Sequence, residues 1–301
     1  MRILLLGKNG QVGWELQRAL APLGELTALD RQGKSGLCGD LAQPEALAAT
    51  VRQLAPQVIV NAAAYTAVDR AESEAPLAQQ INGEAPGVLA REAARLGAWL
   101  VHYSTDYVFD GSGQQPWRED APTASLSVYG QTKRAGERAI TASSARALIL
   151  RTSWVYAARG HNFARTMLRL ARERDVLKVI DDQIGAPTGA ELIADITAQL
   201  IPQLLHRPDS TRLTGTYHLA AGGETSWWGY ARFVLQQAQE AGLALQAGPE
   251  QVAAIATADW PTPARRPLNS RLDTRKLQDT FGLYLPHWQT GVARMLQEIL
   301  D

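Results

Sequence analysis

The fold is decided by three consecutive segments, Arg2-Ile-Leu-Leu-Leu6, Gly7-Lys-Asn-Gly10-Gln-Val-Gly13 and Trp14-Glu-Leu-Gln-Arg-Ala-Leu20. The first is a short apolar run that suits a buried parallel strand, and the third has apolar residues at helical spacing. Between them, glycine recurs as G-x-x-G-x-x-G, which lets backbone N–H groups at a helix N-terminus approach a pyrophosphate. An ordinary strand-to-helix turn is the alternative, but the flanking strand and helix favour a dinucleotide site.

Strands and helices alternate through about the first half of the chain. This pattern predicts an α/β fold with a doubly wound parallel sheet, similar to a Rossmann fold. Beyond Trp154 the alternation loosens, and helices over 162–173 and 190–205 with a strand over 216–219 indicate a smaller mixed α/β lobe. We expect a dinucleotide-binding domain over residues 1–153, to which later segments return, and a mainly substrate-binding lobe over 154–301.

The residues after the second strand bear on the identity of the dinucleotide. Asp30 lies 17 residues beyond Gly13, where a carboxylate meets the adenosine ribose and favours the 2′-hydroxyl of NAD. Arg31 follows at once, and a guanidinium there can accept the 2′-phosphate of NADP. Asp40 could reach the adenine, although a plain loop aspartate is equally consistent. The cofactor is therefore NADPH or NADH, and the preference stays open.

The pair Tyr129 and Lys133 forms a Tyr-x-x-x-Lys pattern, which predicts proton transfer to a carbonyl. Residues four apart share one helix face, so the ammonium can act on the phenol beside it. A free tyrosine has a pKa near ~10, and a lysine ammonium together with an oxidised nicotinamide favours the phenolate. Tyr129 can then give a proton to a carbonyl oxygen as hydride reaches its carbon. The pattern is common on exposed helices by chance, but its place downstream of the glycine turn favours catalysis.

Small and polar residues stand at the carboxyl ends of two further strands. Asn61-Ala-Ala-Ala64 follows the strand Val58–Val60, and small side chains there let a flat cofactor lie against the backbone, although close helix packing would explain them equally well. Ser104–Phe109 follows the next strand, and ligands in open α/β sheets bind outside the carboxyl ends of strands. The Thr105 hydroxyl can hydrogen-bond the oxygen that Tyr129 protonates, with a helix or turn cap as the alternative.

Whole-chain properties exclude several classes of function. The 301 residues include 30 basic and 30 acidic side chains, so the formal charge of zero gives no electrostatic footprint for nucleic acid or an anionic membrane. The single cysteine, Cys38, excludes an internal disulfide framework. No apolar stretch reaches the ~20 residues that a membrane span needs, and the first residues lack the layout of a cleavable signal. We expect a cytoplasmic protein.

Eight segments spread along the chain carry a resemblance to a known family. They are Gly7–Trp14 (GKNGQVGW), Asn61–Asp69 (NAAAYTAVD), Ser104–Phe109 (STDYVF), Tyr129–Lys133 (YGQTK), Arg151–Tyr156 (RTSWVY), Asn162–Arg169 (NFARTMLR), Asp182–Thr188 (DQIGAPT) and Arg271–Leu277 (RLDTRKL). On these segments the chain resembles the dTDP-4-dehydrorhamnose reductases, a family of extended short-chain dehydrogenases/reductases. The dinucleotide motifs are shared with many enzymes, whereas STDYVF, RTSWVY with NFARTMLR, and DQIGAPT are more particular to this family.

The resemblance implies roles for the residues near the cofactor. Tyr129 would be the proton donor, Lys133 would hold the nicotinamide ribose and tune the tyrosine, and Thr105 would adjust the tyrosine's acidity and bind the sugar. Together with the residues considered above, the expected cofactor-binding set is Gly7, Gly10, Gln11, Val12, Gly13, Asp30, Arg31, Asp40, Leu41, Ala63, Ala64, Tyr65, Thr66, Tyr103, Tyr129 and Lys133. Tyr65 stands where the family pattern leads us to expect histidine, which is harmless if that contact is through the backbone.

The resemblance also implies a dTDP-sugar substrate, bound by Thr105, Asp106 and Trp154. An indole face packs on the apolar face of a deoxysugar, although a core tryptophan is the alternative for Trp154 because a buried strand precedes it. Asn162 and Phe163 open a helix that could close over the nucleotide. Three arginines are candidates for pairing with the diphosphate, with ordinary surface charge as the alternative: Arg165, Arg169 and Arg266. Trp227 and Trp228 are expected to be packing or surface residues of the smaller lobe.

The predicted reaction is therefore reduction of the 4-keto group of dTDP-4-dehydro-L-rhamnose with NADPH or NADH. A sugar-nucleotide epimerase or dehydratase with tightly held NAD is one alternative, but Tyr107 follows Thr105-Asp106 where a dehydratase would have an acidic pair. A non-catalytic NADP-binding regulatory subunit is the other. The resemblance further implies a homodimer with a magnesium ion at its contact, for which three exposed carboxylates are weak candidates: Glu15, Glu191 and Asp195.

Overall fold

A computed structural model describes residues 1–300 of the chain, and its centre is a six-stranded sheet. The strands of the described chain are β1 Arg2–Leu6, β2 Glu25–Leu29, β3 Val58–Asn61, β4 Trp99–Thr105, β5 Arg146–Thr152, β6 Val155–Tyr156, β7 Leu177–Ile180, β8 Ile184–Gly185, β9 Thr188–Gly189, β10 Gly215–His218, β11 Thr225–Ser226 and β12 Val252–Ile255. The large sheet has the order β10-β5-β4-β3-β1-β2, and every neighbouring pair in it is parallel. The predicted doubly wound parallel sheet is confirmed.

Helices cover both faces of this sheet. The α-helices of the described chain are α1 Gln11–Leu20, α2 Pro44–Leu54, α3 Val68–Ala71, α4 Ala75–Gln79, α5 Ala85–Leu96, α6 Val128–Thr141, α7 Phe163–Glu173, α8 Ala190–His206, α9 Trp227–Glu240, α10 Arg275–Phe281 and α11 Trp288–Leu300. Helices α1 and α8 pack on one face, and α2 and α5 pack on the other. The central strands are thus apolar on both faces, as expected of a buried parallel sheet.

The first strand shows how the sequence produces this layering. Side chains alternate between the two faces of a strand, and in β1 Ile3 and Leu5 belong to the core beneath α1 and α8. Leu4 and Leu6 belong to the core beneath α2 and α5. All four side chains are at most 1% exposed, so each face of β1 is sealed by a helix layer. A continuous apolar run, with no polar alternation, is what such a position requires.

The second half of the chain contributes to two places. Strand β10 returns to the large sheet and pairs with β5, with Gly215 opposite Leu148. Around a separate apolar core, helices α7, α9 and α11 pack with the short strand pairs β7–β12, β8–β11 and β6–β9. Strands β7 and β12 were not predicted from the sequence. The domain boundary at residue 153 stays a prediction.

One irregular helical turn lies beside the carboxyl end of β3. Residues Gln80–Glu84 form a π-helical turn between α4 and α5. A π-turn inserts one extra residue into a helix, and such turns are frequent at functional sites. This turn carries Asn82, which is 1% exposed and points back to the loop after β3. Within residues 1–300, no helix is both long and apolar enough to cross a bilayer.

Candidate active site

The glycine turn after β1 brings three backbone segments into contact. Gly7 has φ +88°, and a Cβ there would lie 2.6 Å from the nitrogen of Ala63 at the end of β3. A Cβ on Gly13 would lie 2.0 Å from the Gly7 carbonyl oxygen. A side chain at either position would therefore force α1 or β3 away from the turn. At Gly10 the nearest atom to a Cβ would be the Gly7 carbonyl oxygen at 3.4 Å, so a methyl there would make only an ordinary van der Waals contact.

The N-terminus of α1 is built to receive an anion. Its N-cap residue, Gly10, provides no side-chain cap, and the first helical hydrogen bond runs from Trp14 N to Gly10 O at 2.8 Å. The amides of Gln11, Val12 and Gly13 consequently have no hydrogen-bond partner within the described chain. Unpaired N–H groups at a helix N-terminus attract phosphate oxygens. The turn therefore has the free amides that a pyrophosphate site requires, and the pyrophosphate contact itself stays a prediction.

The predicted adenosine end contains a lysine that the sequence analysis did not single out. Lys8 Nζ lies 3.3 Å from Asp30 Oδ2, and Asn9 donates to the same oxygen at 2.9 Å. Desolvation opposes the shift, but Lys8 holds the pKa of Asp30 below its usual value. Arg31 is exposed beside this carboxylate. Asp30 is thus flanked by positive charge. The position of Lys8 within the glycine turn is the sequence feature from which this charge could have been predicted.

The other two residues predicted at the adenosine end lie in the loop before α2. Asp40 accepts hydrogen bonds from Ala42 N at 3.0 Å and from Gln43 Nε2 at 3.1 Å, so its carboxylate also orders this loop. Leu41 is 4% exposed and belongs to the apolar core. Contact of Leu41 with a cofactor would have to involve its backbone.

The loop after β3 is held by the π-turn. Asn82 Oδ1 accepts from Tyr65 N at 2.8 Å, and Asn82 Nδ2 donates to Tyr65 O at 3.0 Å. The Tyr65 hydroxyl donates to Glu74 at 2.6 Å. Both backbone groups of Tyr65 are therefore fixed while its side chain turns to α4, and Ala64 and Thr66 flank it. Asn82 is a second positioning residue missed from the sequence, because a polar residue inside a helix carries no signal of its own.

The start of α6 brings Tyr129 to the end of β4. A Cβ on Gly130 would lie 2.1 Å from the Tyr107 carbonyl oxygen, so glycine is needed for α6 to approach the turn that follows Thr105. The Tyr129 and Tyr107 rings meet edge to face at 5.5 Å. Ser127 caps α6 by accepting from Gly130 N at 3.3 Å, and Glu72 accepts from Val128 N at 2.9 Å. The tyrosine and threonine that were predicted to meet are thus brought together.

Lys133 lies one turn further along α6 and is 2% exposed. Its Nζ donates to the Tyr103 carbonyl oxygen at 2.6 Å and lies 3.3 Å from His102 Nε2. The Tyr103 side chain points away from this lysine into the core, where its hydroxyl lies 2.7 Å from Thr197 Oγ1. Tyr103 therefore presents its carbonyl to the site, so a cofactor contact through its ring is not expected.

Burial shifts the two groups of the Tyr-x-x-x-Lys pair in opposite directions. Desolvation raises the pKa of Tyr129 to about 12, a hydrogen bond with Thr105 lowers it, and the Asp106 charge raises it. Desolvation lowers the pKa of Lys133 to about 8, against the attraction of Glu137. Loss of water disfavours the charged form of each group. The free site therefore holds a tyrosine that keeps its proton at neutral pH, as a proton donor must.

Thr105 and Asp106 form a buried pair at the end of β4. The Thr105 hydroxyl donates to Asp106 Oδ1 at 3.1 Å and accepts from Tyr107 N at 3.2 Å. Within the described chain, Asp106 Oδ2 is buried without a hydrogen-bond partner. Desolvation raises the pKa of Asp106 to about 6, against the lowering effects of the nearby Ser270 hydroxyl and of the Thr105 hydrogen bond. A buried carboxylate oxygen without a donor is the group a sugar hydroxyl would satisfy.

Trp154 follows β5, the strand next to Thr105, and is held in an unusual conformation. Its φ is +48°, a left-handed value that is rare for an aromatic residue. Its ring stacks on Trp227 with centroids 3.7 Å apart and planes 13° apart. Gly185 packs beneath it, since a Cβ there would lie 2.8 Å from the indole. Trp154 is thus a fixed aromatic surface, and the left-handed backbone points to a functional constraint.

The expectation for Trp227 was packing or surface, and the structure makes it the direct support of Trp154. Its Nε1 donates to Gln183 Oε1 at 3.2 Å, and Phe163 packs against it with centroids 4.6 Å apart. Asn162 caps α7 by accepting from Arg165 N at 3.1 Å and also donates to Gln11 Oε1 at 3.3 Å. Asn162 therefore ties the start of α7 to the start of α1.

The three arginines offered for the diphosphate already have partners in the chain. Arg266 binds Asp69 through two contacts, at 3.1 and 2.9 Å. Arg169 pairs with Glu173 at 3.0 Å, and Arg165 donates to the Ala158 carbonyl oxygen. A guanidinium carries five N–H donors, so each arginine keeps donors for a phosphate beside its present partner.

The carboxylates offered for magnesium lie on one surface but are bridged by arginine. Arg18 lies 3.4, 4.0 and 2.8 Å from Glu15, Glu191 and Asp195 respectively, and Arg294 lies 2.7 Å from Glu191. Guanidinium groups therefore occupy the positions beside the carboxylates that a cation would take. Among residues 1–300, no group of three or more His, Cys, Asp or Glu side chains is arranged to hold a metal ion. The donor set of one chain does not fit magnesium, and the homodimer stays a prediction.

Comparison with known proteins places this site in one family. The family model described as the RmlD substrate binding domain matches residues 1–300. The dTDP-4-dehydrorhamnose reductase of Escherichia coli (strain K12) is 56% identical over 299 residues, which cover 99% of this chain and 98% of that protein.

Two solved structures agree with this assignment. A dTDP-4-dehydrorhamnose reductase from Clostridium acetobutylicum superposes with a TM-score of 0.88 at 32% identity, covering 100% of both chains. The dTDP-4-dehydrorhamnose reductase from Bacillus anthracis, in complex with NADP, superposes with a TM-score of 0.85 at 32% identity, covering 99% of both chains. The chain therefore belongs to the dTDP-4-dehydrorhamnose reductase family, to which it is similar over its full length and with which its glycine turn and its Tyr-x-x-x-Lys helix agree.

Proposed function

We infer that this protein reduces the 4-keto group of dTDP-4-dehydro-β-L-rhamnose with NADPH or NADH and so forms dTDP-L-rhamnose. Family membership supports the substrate, because full-length relatives that share more than half of its residues carry this name. The observation that carries the chemistry is the meeting of Tyr129 with Thr105. Close contact of Gly130 with the Tyr107 carbonyl creates that meeting, and Lys133 lies on the same helix one turn below.

The cofactor supplies a hydride when it is bound, and the chain supplies the proton and the positions. The Tyr129 hydroxyl keeps its proton at neutral pH because desolvation raises its pKa to about 12. The oxygen of a carbonyl that accepts hydride becomes an alkoxide, a far stronger base than a phenolate, so the proton moves from Tyr129 Oη to that oxygen. The Thr105 hydroxyl, which donates to Asp106 Oδ1 in the free site, turns its single hydrogen to the same oxygen and holds it beside the tyrosine.

Two groups fit the sugar. The Trp154 indole is half-buried and held rigid by Trp227, and the part of its apolar surface that Trp227 and Gly185 leave uncovered is available to contact a deoxysugar and keep water away from the reacting carbon. Asp106 Oδ2 lacks a donor within the described residues and can accept one sugar hydroxyl. A site that leaves a buried carboxylate oxygen unpaired until substrate binds discriminates against a sugar without that hydroxyl.

For the cofactor, we propose that both nicotinamides are used. Asp30 can accept from the 2′-hydroxyl of NADH. Lys8, 3.3 Å from that carboxylate, and the exposed Arg31 supply positive charge for the 2′-phosphate of NADPH.

The test measures oxidation of NADPH or NADH through the fall in the absorbance of the reduced cofactor. The substrate is made enzymatically from dTDP-glucose by a 4,6-dehydratase and a 3,5-epimerase. We expect stoichiometric formation of dTDP-L-rhamnose, identified by chromatography. Tyr129→Phe should lose a factor of about 10²–10⁴ in kcat and keep its cofactor affinity, because only the proton donor is removed. Tyr284→Phe, at a side chain that is 80% exposed, is the matched control.

Other outcomes would identify the alternatives. Cofactor binding without turnover of this substrate would indicate a regulatory subunit. Tightly held NAD that is not consumed, with interconversion of sugar epimers, would indicate an epimerase. Undiminished turnover in Tyr129→Phe would remove the role assigned to the tyrosine.

A further inference from the structure

A series of buried, hydrogen-bonded polar groups extends from Lys133 to residues of β4 and β3, on the side of the lysine away from Tyr129. Ala63 N donates to Asn61 Oδ1 at 3.2 Å, and Asn61 Nδ2 lies 3.1 Å from His102 Nδ1. His102 Nε2 in turn lies 3.3 Å from Lys133 Nζ. Asn61 and His102 are each 1% exposed, so these contacts are closed off from bulk solvent. The reaction derived above gives neither side chain a task.

The hydrogen bond from Ala63 N to Asn61 Oδ1 determines which atom donates in every other hydrogen bond of this series. A backbone N–H can only donate, so the side-chain atom of Asn61 facing Ala63 must be the oxygen, and its NH₂ must face His102. His102 Nδ1 must then accept, which places the single hydrogen of the neutral ring on Nε2. An imidazolium would carry a hydrogen on both nitrogens and would meet the Asn61 NH₂ donor to donor. The Nε2–H therefore points at Lys133 Nζ, which can accept it only as an uncharged amine.

We propose that Asn61 and His102 are positioning residues that hold Lys133 as a neutral amine in the cofactor-free protein, so that Tyr129 retains its proton. The hydrogen-bond count of the amine agrees, since its lone pair receives His102 Nε2–H and one N–H goes to the Tyr103 carbonyl oxygen. One N–H is left over for a cofactor hydroxyl. The benefit to catalysis rests on the proposed reductase function, whereas the protonation state itself does not.

Among the charged groups around Lys133, one carboxylate, that of Glu137, opposes this arrangement. The described residues offer Lys133 Nζ no carboxylate within hydrogen-bond distance. Glu137, one turn along α6, favours the ammonium, but Arg151 pairs with it through two contacts of 2.8 and 2.7 Å. Asp106 acts on Tyr129 and not on this lysine.

Desolvation favours the neutral forms of both groups in the pair. It lowers the pKa of His102 well below its usual value, with a further lowering by Lys133. It lowers the pKa of Lys133 to about 8, which alone leaves the ammonium in the majority at pH 7. The fixed direction of the hydrogen bonds supplies the remaining preference for the amine.

Neutron diffraction from deuterium-exchanged crystals of the cofactor-free protein reads the proposal directly. We expect two deuterons on Lys133 Nζ, one on His102 Nε2 and none on His102 Nδ1. Three deuterons on Nζ, or a deuteron on Nδ1, would overturn it. This measurement involves no turnover, so it tests the protonation state of Lys133 whether or not the protein reduces a dTDP-sugar. Three deuterons on Nζ in a protein with reductase activity would overturn this proposal and leave the proposed function intact.

Substitution at Asn61 gives a second test in solution. In Asn61→Asp the carboxylate accepts from both Ala63 N and His102 Nδ1–H. The donor and acceptor roles of the two His102 nitrogens are then exchanged, and a lone pair of Nε2 faces Lys133. We expect ¹⁵N NMR to show the opposite His102 tautomer, and the alkaline limb of the kcat/KM profile for the cofactor, which reports groups of the free enzyme, to move down by about one pH unit as the ammonium favours phenolate. Asn61→Leu, which imposes no direction, is the control. An unchanged tautomer in the folded Asn61→Asp protein would contradict the proposal.

Discussion

Replacing Asp106 by asparagine measures the stability that the site gives up for a buried charge. Asp106 is 2% exposed, and desolvation raises its pKa from 3.8 to about 6. Between these two values the folded chain binds more protons at this carboxyl than the unfolded chain does. The free energy of unfolding therefore falls as pH rises through that window, and the loss is complete above it.

The size of the effect follows from the pKa shift and the local contacts. A shift of roughly two units corresponds to about 3 kcal/mol, which is felt in full above about pH 7 and disappears below about pH 3. Asparagine cannot ionise, so Asp106→Asn escapes this loss. Its new NH₂ group stands where Oδ2 finds no partner within residues 1–300, which costs about 1 kcal/mol. We expect the variant to be about 2 kcal/mol more stable than the parent at pH 8.

The assay is urea unfolding of both proteins at a series of pH values from 4 to 8. The stability difference should grow with pH in favour of Asp106→Asn and shrink or reverse toward pH 4, where the parent carboxyl is largely protonated. Asp120→Asn, at a side chain 78% exposed, is the control and should follow the parent at every pH. Parallel curves for the parent and Asp106→Asn across this range would refute the reasoning.

Two further substitutions test the glycine turn and the buried ion pair. Gly13→Ala, whose methyl would lie 2.0 Å from the Gly7 oxygen, should lower stability by about 1–3 kcal/mol in thermal unfolding, whereas Gly10→Ala, whose methyl would lie 3.4 Å from the same oxygen in ordinary contact, should fold normally. Equal melting temperatures of the two variants would contradict this account. Arg151→Met leaves Glu137 buried without its partner and should lower stability by about 3–5 kcal/mol in urea. The double variant with Glu137→Leu should recover most of that loss, and a double variant no more stable than the single one would count against the pairing.

The sequence predicted the sheet well because its signals are local. The apolar run of β1, the glycines at Gly7 and Gly13 and the helical spacing before Leu20 all lie within twenty residues, and each constrains the next. Strands β7 and β12 escaped prediction because exposed residues interrupt their apolar positions. Their pairing, Leu177 with Val252, joins segments far apart in sequence, and no local pattern encodes such a contact.

The candidate site was predicted where a motif names a residue, and missed where tertiary contacts create the role. The Tyr-x-x-x-Lys spacing alone is enough to predict Tyr129 and Lys133 as candidate site residues. His102 looks like one polar residue in an apolar strand, and only the fold shows Asn61 on one side of it and Lys133 on the other. Trp227 was expected to be a packing residue because nothing in its neighbourhood along the chain points to Trp154, its stacking partner 73 positions earlier.

The stacked indoles of Trp154 and Trp227 also give the protein an optical property. Two identical chromophores 3.7 Å apart share their excited states, and any twist between their transition dipoles gives a paired positive and negative band in circular dichroism. The difference between the spectrum of the parent and that of Trp154→Phe or Trp227→Phe separates this band from the backbone and from the other six tryptophans. The packing of the indole proposed to face the sugar can thus be followed in unlabelled protein, in the absence of any substrate.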